Sequence, residues 1–356
     1  MRTIPILFSL LLLLGACKEK TPHNTYYKIS GQTMGTTFHV TYKDSLGRNL
    51  LAPVDSLLVA FNQEVSTYIE SSVISSFNRS EASFDLGISL AEVRNLPLPA
   101  RGDRPNEHFA ANYVAAQKYF ELSQGAFDPT VMPLVNFWGF GYTAKEAVVE
   151  VDSTRVDSIQ LLVGMDEVLD YEGTYLKKKS RGVQLDFSAI AKGYGVDLAG
   201  VYLEDQGITD YMVEIGGEVR ARGVNDRDQA WVIGINTPSP DASVADIQVA
   251  VRLADRALAT SGNYRNFYEV EGRKYAHTIN PETGYPELST LLSASVFAST
   301  CTEADALATA CMVMGMDEAF DFLDAMEGVD GYFIIGKDDG SLDVRYTSGL
   351  DDLFVE

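Results

Sequence analysis

Apolar and polar residues alternate from Thr36 to Tyr42, with Phe38, Val40 and Tyr42 on one face and Thr37, His39 and Thr41 on the other. A period of two predicts a half-buried strand. The spacing turns helical from Pro53 to Val65. Asn106 to Gln124 reads more clearly as a helix, with a stripe of Phe109, Tyr113, Ala116 and Phe120, Asn106 as N-cap and Gly125 past its end. Ser188 to Gln206 forms another, rich in small residues at its start. Strands are expected over 211–222, 231–236 and 247–253, with polar loops at Asn225 to Gln229 and Thr237 to Ala242. A strand over 291–298 leads into a helix from Thr302 to Met314, and short strands at 331–335 and 342–346 follow. Strict βαβ alternation is missing, so the pattern predicts an α+β fold with mixed sheets flanked by helices.

The N-terminal residues carry a different pattern. Arg2 precedes an apolar run from Ile4 to Leu14, closed by Leu14-Gly15-Ala16-Cys17. The run is short for a membrane span and has the flanks of a secretory signal. A cysteine directly after small residues resembles a bacterial lipobox. Residues 1–16 are therefore expected to be a lipoprotein signal peptide, Cys17 the lipidated residue, 17–25 a tether and 26–356 one domain. The expected location is the bacterial cell envelope, lipid-anchored and facing the periplasm.

Charge narrows the function classes. Fifty acidic residues oppose 28 basic ones, for a net charge of −22. Such a chain repels nucleic acid, and no nucleic-acid partner is expected. Cys301 and Cys311 lie ten residues apart at and within a predicted helix, roughly 13–15 Å by helical rise. That exceeds disulfide reach, so both are expected to be free, buried thiols.

Four segments carry candidate chemistry. Asp186-Phe-Ser-Ala189-Ile-Ala-Lys192-Gly193-Tyr-Gly195 combines a carboxylate, a helix start, a lysine and two glycines. A helix N-terminus with a nearby lysine suits a phosphate-bearing ligand, although the P-loop spacing is absent. A tightly packed helix entry with Lys192 on the surface would give the same sequence. Asp305 and Thr309 stand four apart on one helix face and supply part of a hard-metal site. Equally, Thr302-x-x-Asp305 has the form of a capping box, and Thr309 can bond back to the Asp305 carbonyl. His277 precedes the turn sequence Asn280-Pro281-Glu282-Thr283-Gly284. Held against a turn it can act as a general base or serve the structure. His23 falls in the tether, His39 on a polar strand face and His108 in the first turn of a surface helix. The aromatics of Phe137-Trp138-Gly139-Phe140 either floor a ring-binding pocket or belong to the core.

In order along the chain, eight segments resemble the ApbE family of flavin transferases. They are Thr33-Met34-Gly35-Thr36, Ser66-Thr67-Tyr68, Gly125 to Pro129, Asp186 to Gly195, Gly216-Gly217-Glu218, Ser261 to Tyr264, His277 to Gly284 and Asp305 to Thr309. The resemblance implies a T-fold-related α+β domain that takes FAD as substrate with Mg²⁺ at its pyrophosphate. It assigns flavin contacts to Met34, Tyr68, Ala126, Phe127, Asp128, Asp186 and Lys192. It assigns metal ligation to Asp305, Thr309 and the Ala189 carbonyl, and catalysis to His277. Where the family commonly has Asp, a basic residue and Gly, this chain has Asn280, Glu282 and Ser188. The implied reaction is Mg-dependent transfer of FMN from FAD to a Thr or Ser hydroxyl of a partner protein, with release of AMP. Hydrolysis of FAD to FMN and AMP, a non-catalytic flavin-binding lipoprotein and an acidic surface lipoprotein are the competing readings.

Overall fold

The computed structural model describes residues 25–141, 152–238, 246–263, 267–270, 273–287, 289–337 and 339–355. The apolar leader, Cys17, the tether through Asn24, most of the Thr237 to Ala242 loop and Tyr264 lie outside the described residues.

The α+β class is borne out. Eight strands form one sheet in chain order: Tyr26–Thr33, Thr36–Lys43, Tyr211–Ile215, Glu218–Arg222, Arg256–Gly262, Leu291–Ala298, Asp330–Gly336 and Leu342–Tyr346. All seven ladders are antiparallel. The expected strand over 211–222 is two strands. Gly216 and Gly217, at φ 62° and 106°, reverse the chain and pair Ile215 with Glu218. Two consecutive positive φ values suit glycine and make a tight hairpin. The reversal returns Glu218 to the sheet end that Ile215 has just left.

Alternation along the strands sorts side chains between two layers. Phe38, Val40, Tyr42, Tyr211, Val213 and Ile215 pack against Val54 and Leu58 of the Leu51–Val65 helix and Val196, Ala199 and Leu203 of the Ala191–Asp205 helix. Val219, Leu258, Phe297, Tyr332 and Ile334 point the other way. There they meet Trp231, Ile235, Val251 and Leu253 of an antiparallel hairpin, Trp231–Asn236 with Ile247–Leu253. The C-terminal residues cover one edge of this hairpin: Arg252 N donates to Leu353 O at 2.7 Å and Val355 N to Ala250 O at 2.9 Å. Leu291–Ala298 lies between both layers and is almost wholly buried.

The Glu107–Leu122 helix forms where its periodicity predicts, but it is no surface helix. His108 is buried against the rings of Phe61 and Tyr194, and burial lowers its pKa. Asn106 stands at the N-cap position with φ 63° and makes no capping bond with its side chain. Glu64 caps this helix from the neighbouring one, accepting Asn106 N at 3.1 Å and Phe109 N at 2.9 Å.

The Ala191–Asp205 and Cys301–Met314 helices cross at their N-terminal turns. Gly193 allows the approach. A Cβ there would lie 2.2 Å from the Cys301 carbonyl oxygen and 2.8 Å from the Asp305 Cβ. Both cysteines of the second helix are free and buried, as expected. Because backbone blocks the space, Gly193→Ala should lower unfolding stability in urea by about 1–3 kcal/mol, the usual scale of overpacking. A variant as stable as the parent would show that the crossing tolerates separation.

Candidate active site

A cavity of about 1090 Å³ opens beside this crossing. That is just above the usual range of about 300–1,000 Å³ for small-molecule sites. Tyr68, Ala126, Phe127, Asp128, Asp186, Ala189, Lys192, His277, Asp305 and Thr309 all line it. Met34 is not among the lining residues. It sits at φ 48° in the turn between the first two strands, with its methyl group over Gly195. Its contribution is packing beneath the site.

The Cys301–Met314 helix supplies Asp305 and Thr309. The expected capping box does not form. Thr300 is the N-cap and accepts Glu303 N at 3.3 Å. Thr302 donates its hydroxyl to Asp197 at 2.6 Å. Asp305, nearly buried, therefore points across to the Ala191–Asp205 helix, where Oδ2 accepts Gly193 N at 2.9 Å. Oδ1 lies 3.7 Å from Lys192 Nζ. One turn on, Thr309 Oγ1 lies 3.2 Å from Ser261 Oγ.

Lys192 turns into the cavity. Its ammonium is 2.5 Å from Glu218 Oε1. Burial disfavours this charge, but the carboxylates of Asp305 and Glu218 outweigh it and raise the lysine pKa. Glu218 is 3 % exposed, and its Oε2 is buried without a hydrogen-bond partner. Burial pushes this carboxyl up to about 7, against the pull of Lys192.

Asp186 and Asp128 are held by their neighbours. Asp186 accepts Ser188 N at 3.0 Å and the Ser188 hydroxyl at 2.7 Å. Serine at the position commonly glycine thus fastens the loop. Burial raises the Asp186 pKa. Asp128 caps the short helical turn Pro129–Val131, accepting Thr130 N, Thr130 Oγ1 and, through Oδ2, Gly164 N. Phe127 is buried, whereas Tyr68 is 77 % exposed at the rim. Trp138 is core, donating its indole N–H to Gly284 O at 2.8 Å. Phe140 reaches the cavity, edge-on to His277 at 6.5 Å between ring centroids.

The turn after His277 is fixed as the sequence indicates. Asn280 Oδ1 accepts Glu282 N at 2.9 Å and Thr283 N at 3.2 Å. An aspartate would accept the same two bonds, so asparagine keeps the turn. Its amide also donates to Glu287 at 3.1 Å. Beside the histidine, Thr278 Oγ1 donates to Asn263 at 2.6 Å.

Some of the wall was illegible in the sequence. Ile233, Gly234, Ile235 and Asn236 line the cavity from the hairpin, yet their alternation reads as an ordinary strand. Glu218 stood in a recognisable Gly-Gly-Glu segment, but its partner is 26 residues away.

A lysine at a helix entry, buried carboxylates, hydroxyls and a histidine thus converge on one large cavity rimmed by aromatics. This defines a site for an anionic, ring-bearing ligand. The chain belongs to the ApbE family, whose model matches residues 34–333. It is similar to the FAD:protein FMN transferase of Vibrio cholerae, 37 % identical over 96 % of each chain. The protein of that name from Haemophilus influenzae is 34 % identical over 94 % of this chain and 93 % of its own length. Among solved structures, the flavin transferase ApbE of Vibrio cholerae superposes with a TM-score of 0.78 at 34 % identity, covering 92 % of this chain and 99 % of the other. The apo flavinyl transferase ApbE of Pseudomonas stutzeri also gives 0.78, at 29 % identity over 93 % and 97 %.

The burial of Asp128 has a measurable consequence. Desolvation raises its pKa to about 6, and the bonds from Thr130 and Gly164 offset this only in part. An unfolded aspartate ionises near pH 4, so the folded state holds the proton more tightly between these values. Stability from this group is full below about pH 4 and is lost as pH rises through about 6. Asp128→Asn cannot ionise. Its stability relative to the parent should therefore rise by on the order of 2 kcal/mol from pH 4 to pH 7 in urea unfolding. A pH-independent difference would contradict the assignment.

Proposed function

We propose that this protein transfers FMN from FAD to a Ser or Thr hydroxyl of a partner protein. The observation that carries the reading is the convergence of Lys192, Asp305, Thr309 and His277 on one cavity large enough for a dinucleotide. The names of its relatives support the same reaction class.

Aromatic and apolar walls around Tyr68, Phe127 and Phe140 suit the isoalloxazine ring. Lys192, which lines the cavity at its helix entry, suits the pyrophosphate. The ring end thereby points to the Tyr68 side and the phosphates to the helix crossing. Asp305, Thr309 and the Ala189 carbonyl offer only oxygen donors, the preference of Mg²⁺. Among the described residues no group of three His, Cys, Asp or Glu side chains could hold a metal ion by itself. Bound there, Mg²⁺ would neutralise charge on the pyrophosphate oxygens.

The acceptor hydroxyl oxygen forms a bond to the FMN-side phosphorus, and the bond from that phosphorus to the AMP oxygen breaks. His277 takes the hydroxyl proton. AMP leaves with the bonding pair, stabilised by Lys192. The product is a phosphodiester joining FMN to the partner. The same base and oxygen donors would serve water in place of the hydroxyl, which would give FMN and AMP.

Cys17 is part of the same proposal: a lipid anchor that holds the domain at the envelope surface, facing the periplasm. Among the described residues no helix is long and apolar enough to cross a membrane. Cys17→Ser should move the protein from the membrane pellet to the soluble fraction. Continued sedimentation with membranes would remove the anchor from the account.

His277→Ala should bind FAD and Mg²⁺ about as tightly as the parent in calorimetry, with AMP release in the presence of acceptor down by roughly 10²–10⁴. Loss of FAD binding in step with turnover would make His277 a ligand contact. Parental turnover would place the base elsewhere. Fast AMP release by the parent without any acceptor would favour hydrolysis.

A further inference from the structure

Lys192 has two carboxylates within reach and favours one. Its ammonium lies 2.5 Å from Glu218 but 3.7 Å from Asp305 Oδ1. Asp305 Oδ2 is committed to Gly193 N. Oδ1 is therefore the oxygen left for a cation, and Lys192 is the nearest competitor for it. A full Lys192–Asp305 ion pair would close that oxygen.

We propose that Glu218 is a positioning residue that holds the Lys192 ammonium off Asp305 and so keeps Asp305 open to a divalent cation. The inference rests on the metal placement offered above for Asp305.

Three observations carry it. Glu218 is fixed by the Gly216-Gly217 reversal, which sets it on the sheet facing the helix crossing. It is nine-tenths or more buried, with Oε2 left without a partner. A half-satisfied buried carboxyl is costly to the fold, so a stability role is a poor account of it. Finally, the lysine it holds belongs to the cavity wall. Two carboxylates sharing one ammonium leave the cluster with a net negative charge. Arrival of a divalent cation at Asp305 reverses that sign without displacing Lys192 from Glu218. The cluster then presents two adjacent cations to a pyrophosphate. Without the Glu218 charge, Lys192 would collapse onto Asp305, and metal would have to break that pair first.

The probe is Mn²⁺ alone, titrated at pH 8 and followed by electron paramagnetic resonance, with no flavin present. Glu218→Gln keeps the shape and one acceptor but removes the charge. It should weaken Mn²⁺ binding about tenfold or more, the scale of re-forming a buried ion pair. Lys192→Met removes the competitor and should tighten binding. In that background Glu218→Gln should change affinity by no more than about twofold, because the pair it prevents can no longer form. Equal weakening in both backgrounds would mean that Glu218 acts only through its field, and would overturn the proposal. So would an unchanged affinity in Glu218→Gln. Asp305→Asn, which retains an acceptor for Gly193 N, should abolish binding in every background. If Mn²⁺ binds Asp305→Asn as well as the parent, the metal placement itself fails, and this inference with it. Circular dichroism melts of each variant establish that the folded protein is being titrated.

Discussion

Two carboxylates exchange places at the centre of this molecule. Asp197, wholly buried on the Ala191–Asp205 helix, accepts Cys301 N, Thr302 N and the Thr302 hydroxyl at the start of the Cys301–Met314 helix. Asp305 on that second helix accepts Gly193 N at the start of the first. Each helix thus satisfies orphan N–H groups of the other. Arg220 pairs with Asp197 at 3.1 Å and ties the crossing to the sheet. Lys192, Asp305 and Thr309 are ordered because these two helices cannot slide. Gly193 is the condition for it, since any side chain there would force the backbones apart.

The same crossing resolves an electrostatic difficulty. A chain of net charge −22 must hold a dianionic pyrophosphate. Long-range attraction works against it, and at physiological salt that field is screened within about 8 Å. Local groups therefore decide. In the proposed reading, Lys192, kept charged by two carboxylates, and a divalent cation on the oxygen donors would bring positive charge to the phosphate end. At the other end Tyr68, exposed at the rim, and Phe140 offer ring faces in place of charge.

Much of this was legible in the chain. The strands at 231–236, 247–253, 291–298 and 342–346 and the helix ending at Met314 follow from periodicity alone, because their buried faces repeat at the strand or helix period. Ten of the eleven proposed flavin, metal and catalytic residues line one cavity, and they gain their meaning only as a set, which order along the chain reveals but spacing does not. What failed were statements about partners. Asn106 looks like a cap, yet Glu64 does the capping from another helix. Thr302-x-x-Asp305 looks like a capping box, yet both side chains turn to the neighbouring helix. His108 looks solvent-facing because its helix carries polar residues, yet it is buried against the rings of Phe61 and Tyr194. Met34 belongs to a motif but supports the wall from behind. Local sequence reports how a segment can satisfy itself. It is silent when a distant group does so.

The central claim is that flavin leaves this cavity covalently attached to another protein. It is tested most directly in the native host, by in-gel flavin fluorescence of denatured envelope proteins followed by mass spectrometry of the fluorescent band. With the parent gene, a Ser- or Thr-containing peptide should carry the mass of FMN less one water. With the gene deleted, or replaced by His277→Ala, both fluorescence and adduct should vanish. An adduct that persists in the deletion strain, or one in which flavin is joined other than through a hydroxyl and phosphate, would contradict the account.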